Sequence, residues 1–406
     1  MVVTLFRGHP SNDLLPCDVI LDASAKVLST RRATDDEDEI RHPLTYGSDA
    51  GSLTVREAIA DWTNAKFGTG TTADCINLTN GASYGAATAL TRCCPREYTQ
   101  RAFAVSPTYY LINQIFIDAG FGDRVSAIVE TDQGLDFNGL ESALAKNEVL
   151  PVESPLKFRY VLYMVPVFSN PGGYTLSEQA SRRLLSIARK YNILLLCDNV
   201  YDQLYYDPEF QLPTPLVRLD RETLPEGSYG NVIANCSFSK YLGPGLRVGW
   251  QECATPELAY HLSQTGANKS GGSPSHLNTF IVGQILRSGA IEPVLNNLRS
   301  VYGDRSRRYV EAIKKYLPEG TKISGGDGGY FLWLRFPDEY DTQAITTECK
   351  EKGIILAPGQ HFEVVGAEKG WGNHCFRISV SFHDAAEAEQ AIKVWGDVAK
   401  KHRIVN

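Results

Sequence analysis

The chain has 406 residues, 43% of them hydrophobic and 21% charged, which excludes a disordered polymer and predicts two or three folding units. Forty basic residues against 47 acidic ones give a net charge of −7, which argues against general nucleic-acid binding, and no basic block reverses that locally. The longest nearly apolar run, Tyr160 to Phe168, carries Pro166 and falls far short of the roughly 20 residues a membrane helix needs.

Arg7 follows a short apolar start with no small-residue cleavage site after it, so no secretory signal is expected. The nine cysteines are scattered, with Cys93-Cys94 the only close pair. No zinc-ligand spacing appears, so no metal site is expected, and the odd count reads as reduced thiols of a cytoplasmic protein, mostly small buried hydrophobes. The acidic run Asp35 to Glu39 reads as a solvated loop or helix start without function.

In chain order, Ile76 to Leu78 reads as a strand, followed by Gly81-Ala82-Ser83 and a helix to about Cys94. Ala102 to Val105 (strand), Tyr110 to Ala119 (helix), Val125 to Val129 (strand) and Leu140 to Lys146 (helix) come next. The strand Tyr160 to Val165 precedes a long helix from about Ser177 to Tyr191, whose start carries a capping-box spacing in Thr175 and Glu178. Ile193 to Leu196, Val232 to Ser237 and Arg247 to Glu252 complete the strands. Continuous apolar strands separated by helices predict an α/β unit with a parallel sheet covered on both faces.

Past Ser273 the texture changes. A helical region from Pro274 to Tyr316 leads through Gly325 to Gly329 into a strand, Tyr330 to Phe336, then a helix near Thr342 to Lys352. The strand Cys375 to Phe382 and a helix from Asp384 to Lys401 follow. The expected organisation is therefore a large domain over residues 46–273 and a smaller α+β domain over 274–406, which an N-terminal segment, residues 1–45, joins.

Three places put polar groups where packing alone would not. Asp198 ends the apolar run Ile193 to Cys197. A carboxylate there needs a cationic partner, either a local Arg or Lys or a ligand cation at the carboxyl edge of the sheet. Tyr201, three residues on, is able to present its phenol to the same ligand. In the second place a strand ends at Ser237, with Ser239 on the same face by period two, and Lys240 stands at the strand edge. Gly243-Pro244-Gly245 then turns the chain to return Arg247. A lone lysine is usually solvated, but this grouping describes a desolvated, nucleophilic amine of the kind Schiff-base chemistry uses. The third place, Asn80-Gly81-Ala82-Ser83, offers helix N-terminal N–H groups to an anion, though many such turns serve capping alone.

Together these residues resemble the fold-type-I pyridoxal-phosphate enzymes, in the class I/II aminotransferase family. The match runs from Gly8-His9-Pro10 to Arg377, and the step from Lys240 to Arg247 through Pro244-Gly245-Leu246 resembles the 2-aminoadipate and kynurenine aminotransferase subgroup. The resemblance implies a large domain with a mostly parallel sheet between helices, binding pyridoxal 5'-phosphate, plus a smaller α+β domain. It implies that Lys240 forms the Schiff base and then carries protons at the substrate α-carbon, while Asp198 pairs with the pyridinium nitrogen. Asn170 and Tyr201 would hydrogen-bond the ring's phenolic oxygen, Val200 would pack beneath the ring, and Tyr109 would stack on its other face. Ala82, Ser83, Ser237, Ser239 and Arg247 would hold the phosphate behind Gly81, with Tyr46 of a neighbouring subunit reaching in, hence a homodimer.

Arg377 stands in the alternating stretch Cys375 to Phe382, and on pattern alone it reads as a solvent-facing arginine. The resemblance instead makes it the two-pronged clamp on the substrate carboxylate, helped by Asn170 and Gly8. One departure stands out: the family's usual Asn-Pro-Thr-Gly is here Asn170-Pro171-Gly172-Gly173, which predicts a looser turn. Ala82, where the subgroup often has Ser, keeps its N–H.

The implied activity is transfer of an amino group from an L-amino acid to a 2-oxo acid, through pyridoxamine phosphate. The alternative is elimination, replacement or ring formation by the same machinery. The pocket residues Phe6, His9 and Tyr330 would steer that choice. A cofactor-sensing transcription regulator would need a helix-turn-helix domain ahead of Gly8, and no room is expected for one.

Overall fold

The computed structural model describes residues 2–29, 42–131, 134–145 and 154–404; the run Asp35 to Glu39 and the end of the helix expected at Lys146 lie outside them. In chain order the main elements begin with β1 (Val3–Thr4), α1 (Cys17–Ser29), α2 (Leu53–Phe67), β2 (Ile76–Thr79) and α3 (Ala82–Cys93). Next come β3 (Arg101–Ser106), α4 (Leu111–Asp118), β4 (Val125–Thr131), β5 (Gly134–Leu135) and α5 (Phe137–Ala145). They continue with β6 (Tyr160–Met164), α6 (Glu178–Tyr191), β7 (Ile193–Asn199), α7 (Leu216–Glu222), β8 (Val232–Ser237) and β9 (Gly249–Cys253). The rest are α8 (Pro256–Ser263), α9 (Gly266–Gly271), α10 (His276–Arg287), α11 (Ile291–Tyr316), β10 (Lys322–Gly325), β11 (Phe331–Arg335), α12 (Thr342–Glu351), β12 (Ile354–Ile355), β13 (Ala357–Pro358), β14 (Cys375–Ser379) and α13 (Ala385–Lys401).

The large sheet runs in the order β2-β9-β8-β7-β6-β3-β4-β5. Its middle, β8 through β4, is parallel. Every residue of β6 and β8 is buried, as is β7 up to Asp198, because helices cover both faces and leave no face for polar side chains. The sheet is thus mostly parallel, as the resemblance implies, with antiparallel pairs at its ends: β9 is antiparallel to both β2 and β8, and β5 to β4. Arg247 does not begin β9; it sits in a left-handed conformation (φ 53°) after the turn Pro244–Leu246, and the strand starts at Gly249.

A second sheet, β10-β11-β14-β13, is antiparallel and belongs to the smaller α+β part. The N-terminus packs beside that sheet through a separate two-stranded one, in which β1 pairs in parallel with β12. The single helical region expected over 274–316 is two helices, because Gly289 (φ 72°) breaks the chain between α10 and α11. The cap of α6 is Ser177, whose hydroxyl accepts from the Ala180 N–H at 3.2 Å. Thr175, expected in that role, instead accepts from the Phe168 N–H, while Glu178 turns to Arg182 and Thr214.

Candidate active site

The carboxyl ends of β7 and β8 open into a cavity of about 330 Å³ whose walls include Asp198, Tyr201, Lys240, Arg247 and Arg377. Chain turns carry the reactive groups there: Asp198 is the penultimate residue of β7, and Lys240 ends the 3-10 turn Phe238–Lys240 that directly follows β8. Asp198 is 7% exposed, and its Oδ2 accepts from the Tyr163 hydroxyl at 2.7 Å. Its Oδ1 finds no hydrogen-bond partner, and no Lys or Arg forms an ion pair with it, among the described residues. The local salt-bridge reading therefore fails. Burial pushes the Asp198 pKa up to about 6, against the opposing pull of Tyr163 and Lys240.

Lys240 Nζ donates to the Gly8 carbonyl at 3.2 Å and lies 5.4 Å from the Tyr330 ring centre. Desolvation lowers its pKa to about 8, helped by Arg377 and Arg247 and opposed by Asp198. An amine so poised is readily neutral and nucleophilic. Tyr330 earns a role in the structure that the residue pattern did not assign: its hydroxyl donates to the Lys240 carbonyl at 2.9 Å and fixes the turn.

At the other end of the cavity, Ala82 and Ser83 open α3 and so offer N–H groups without helical partners. Gly81 (φ 87°) has no side chain because a Cβ there would lie 2.7 Å from an Arg247 nitrogen. Arg247 is aimed by bonds to the Asn80 carbonyl (2.8 Å) and the Pro244 carbonyl (3.0 Å). Ser237 and Ser239 complete that end, their hydroxyls 2.9 Å apart. Donors on three sides with a cationic guanidinium make a cradle for a dianion.

Arg377 is 4% exposed, which overturns its solvent-facing reading. It donates to Asn170 Oδ1 at 2.9 Å and to the Phe6 carbonyl at 2.6 Å, while Nε has no partner among the described residues. The rings of Phe331, Phe362 and Phe6 lie 4.1, 4.7 and 5.3 Å from its guanidinium carbon. Burial lowers its pKa to about 10, so it stays charged at neutral pH. Tyr109 and Val200 also line the cavity; burial raises the Tyr109 pKa to about 12 and that of Tyr201 further, so both phenols keep their protons.

A model of the class I and II aminotransferases matches residues 12–394. The chain belongs to that family. An uncharacterized protein of Saccharomyces cerevisiae is 44% identical over 434 aligned positions, covering 100% of this chain and 98% of that one. Aromatic-amino-acid aminotransferase 1 of Thermococcus litoralis is 26% identical, covering 89% of this chain and 80% of its own. The crystal structure of an alpha-aminoadipate aminotransferase of Thermus thermophilus, complexed with N-(5'-phosphopyridoxyl)-L-leucine, superposes with a TM-score of 0.79 at 24% identity, covering 98% and 92% of the two chains, and shows the shared fold.

The aminotransferase works with pyridoxal 5'-phosphate, and its cavity fits that group on chemical grounds. A buried carboxylate oxygen without a partner suits a protonated ring nitrogen, and the α3 cradle suits a phosphate. Of the residues expected to touch cofactor or substrate, the fold brings all but Gly81 and Tyr46 onto the cavity wall, and Gly81 lies just behind it against Arg247; Phe6 and His9 line the cavity as well, whereas Tyr330, also expected there, does not. Tyr46 is 75% exposed and lines a different cavity of about 690 Å³, so a single chain does not bring it to Lys240. Gly8 is there, packed so closely that a Cβ would stand 2.8 Å from the Phe331 ring. His9 lines the mouth of the cavity, its ring edge-on to Phe382 at 5.0 Å.

Two aminotransferase residues escaped the reading of the sequence. Tyr163, in the apolar strand β6, was legible in principle: a phenol in a strand buried on both faces needs a partner for its hydroxyl, and Asp198 supplies it. Glu130 explains the altered turn, which is not loose. Gly172 lies against the Glu130 carboxyl, and the turn is tied by Gly173 N–H to Ser169 O (2.7 Å), Ser169 N–H to Tyr174 O (2.8 Å) and the Ser324 hydroxyl to Gly172 O (2.9 Å).

Proposed function

We propose that the enzyme moves an amino group from an L-amino acid to a 2-oxo acid, with Lys240 as the nucleophilic amine and the proton carrier. The observation that carries this reading is the meeting of Lys240, Asp198 and Arg377 in one cavity with an anion cradle at its far end. Pyridoxal 5'-phosphate, when bound, supplies a carbonyl to capture the donor amine and a ring that accepts the electron pair left by the α-proton. Asp198 keeps the ring nitrogen protonated, and Asn170 and Tyr201 hydrogen-bond the phenolic oxygen. Tyr109 and Val200 enclose the two ring faces. Ala82, Ser83, Ser237, Ser239 and Arg247 hold the phosphate, with Gly81 giving the backbone its close approach. Arg377 clamps the substrate carboxylate, oriented by Asn170 and by the Gly8 segment. Lys240 takes the α-proton and returns it one atom away on the cofactor side. With the cofactor bound, the donor would leave as its 2-oxo acid after hydrolysis, and Lys240 would carry the proton in the opposite sense when a second oxo acid takes up the nitrogen.

The same reading assigns residues 46–273 to cofactor binding and 274–406, with 1–45, to the smaller domain. It takes the enzyme to be a cytoplasmic homodimer in which Tyr46 of one protomer reaches its partner's phosphate; the exposed Tyr46 side chain supports this. Among the described residues no helix is long and apolar enough to cross a membrane. The test is a visible spectrum of the purified protein, repeated with a panel of amino acids and with Lys240→Ala as control. Support is a yellow band, absent in Lys240→Ala, that bleaches with release of the matching 2-oxo acid. A protein that takes up no pyridoxal phosphate, or a donor consumed without its 2-oxo acid, overturns the proposal.

A further inference from the structure

Behind the catalytic turns lies a second, small cavity of about 30 Å³, lined among others by Thr63, Asn199, Asp202, Gln203, Cys236, Tyr241 and Trp250. It shares no residue with the active-site cavity, yet both are built from the same two segments. Asp198, Val200, Tyr201, Ser237, Ser239 and Lys240 face one side, and Asn199, Asp202, Gln203, Cys236 and Tyr241 the other. Four buried polar atoms on its walls have no partner among the described residues: Thr63 Oγ1, Asp202 Oδ1, Gln203 Nε2 and Trp250 Nε1. Their residues are 4, 8, 2 and 4% exposed. Buried polar groups are costly to leave unpaired, so each of the four calls for a partner that the surrounding side chains do not supply.

Neighbours fix what each atom offers. Arg299 donates to both Gln203 carbonyl oxygens, at 2.7 Å (backbone) and 3.1 Å (side chain), so the amide NH2 is the end left over. Asn199 donates to Asp202 Oδ2 at 2.8 Å, so Oδ1 is the unengaged oxygen. Gln203 and Trp250 therefore donate; Asp202, whose pKa burial raises to about 7, accepts in its ionised form, and the Thr63 hydroxyl accepts or donates as required. Two inward N–H groups repel a cation. One water molecule matches the set, accepting twice and donating twice, and the volume exceeds the roughly 10–15 Å³ that a single water needs. Glu252, also on the wall, is engaged by Arg221 at 3.2 Å.

We propose that this cavity is the site of one structural water that ties Asp202 and Gln203 to Thr63 of α2 and Trp250 of β9, and that Asp202 is thereby a positioning residue for the turn bearing Asp198, Val200 and Tyr201. The site rests on hydrogen-bond complementarity and not on transamination, so it stands or falls apart from the proposed function.

The experiment is a high-resolution crystal structure of the holoenzyme, with kinetics and visible spectra of variants. A single water peak about 2.7–3.2 Å from the four atoms is expected. Thr63→Val keeps the shape but removes one partner; kcat should fall about threefold to tenfold with the donor KM unchanged and a shifted cofactor band, and Thr63→Ser should restore both. Asp202→Asn is the second variant, for use if Thr63→Val does not fold: Asn199 holds its oxygen, so a third donor points at the water, and the same losses should follow. A dry cavity, or a metal ion with short oxygen contacts, overturns the site. Loss of the water with kcat and spectrum unchanged overturns the positioning role.

Discussion

Restoring the family's usual threonine at position 172 should harm this enzyme. An ideal Cβ at Gly172 stands 2.7 Å from Glu130 Oε2, 2.7 Å from the Tyr174 ring and 3.1 Å from Ser169 Oγ. Threonine adds a hydroxyl and a methyl beyond that Cβ. The Glu130 carboxyl ends a flexible chain and is able to retreat. Ser169 has less freedom, because its hydroxyl accepts from the Tyr174 N–H at 3.1 Å and its carbonyl from Gly173. Nor does the next residue have slack: a Cβ on Gly173 (φ 72°) would meet the Gly325 backbone at 2.4 Å.

Overpacking of this kind costs about 1–3 kcal/mol, a shift of roughly 5- to 150-fold in the folding equilibrium constant at about 1.4 kcal/mol per decade. The strain falls two residues from Asn170, whose Oδ1 meets Arg377 at 2.9 Å, so the donor KM should rise as well. Urea unfolding of Gly172→Thr should show a lower midpoint at unchanged slope. Adding Glu130→Ala should return part of the loss, as a coupling of about 0.5–3 kcal/mol between touching residues. A Gly172→Thr enzyme with wild-type midpoint and KM would refute the reasoning, and so would strictly additive effects in the double variant.

Three further outcomes follow from the buried ionisable groups. Burial pushes the Glu130 pKa from 4.5 to about 8; the folded state then holds a proton the unfolded chain has released, so stability should decline as pH rises from about 4.5 through 8, and Glu130→Gln should flatten that decline in denaturation curves taken across pH. Tyr163→Phe removes the hydrogen bond that helps keep Asp198 ionised, so the acid limb of the pH–rate profile should move to higher pH; an unmoved limb would separate Tyr163 from the chemistry. Arg377→Lys keeps the charge but loses the planar fork that reaches Asn170 and Phe6; kcat/KM for the donor should drop about 10- to 100-fold, chiefly through KM, in steady-state assays.

The residues whose placement at the cavity depends on local sequence were legible. Apolar strands followed by Gly81-Ala82-Ser83, by Asp198 and by the block from Ser237 to Arg247 mark strand ends and turns, and those features are local. Arg377 was ambiguous because alternation along β14 says which face it shares, not what covers that face. Its cover comes from Asn170 and Phe6, 207 and 371 residues away in sequence. The antiparallel β9 and the turn at Gly172 escaped for the same reason: strand direction and the room for a side chain are set by partners such as β2 and Glu130. The cap of α6 was missed by a local competition. Thr175 and Ser177 both precede the helix, and the backbone of Phe168 claims the threonine.

The N-terminal segment links the two ends of this chemistry. Its backbone supplies the neutral acceptors on both principal cations, Phe6 O on Arg377 at 2.6 Å and Gly8 O on Lys240 at 3.2 Å. On the proposed reading, a substrate carboxylate arriving at Arg377 would compete with Phe6 O and make the stronger bonds, between two charged groups. The gain is therefore a difference between two hydrogen-bonded states rather than the full value of a new ion pair, and the aromatic cage of Phe6, Phe331 and Phe362 excludes water from both states. The same segment crosses the Phe331 ring where Gly8 leaves room for no side chain, so its path is dictated by packing. Carboxylate recognition, access to the lysine amine and the docking of β1 on β12 are then coupled through six consecutive residues, Val3 to Gly8.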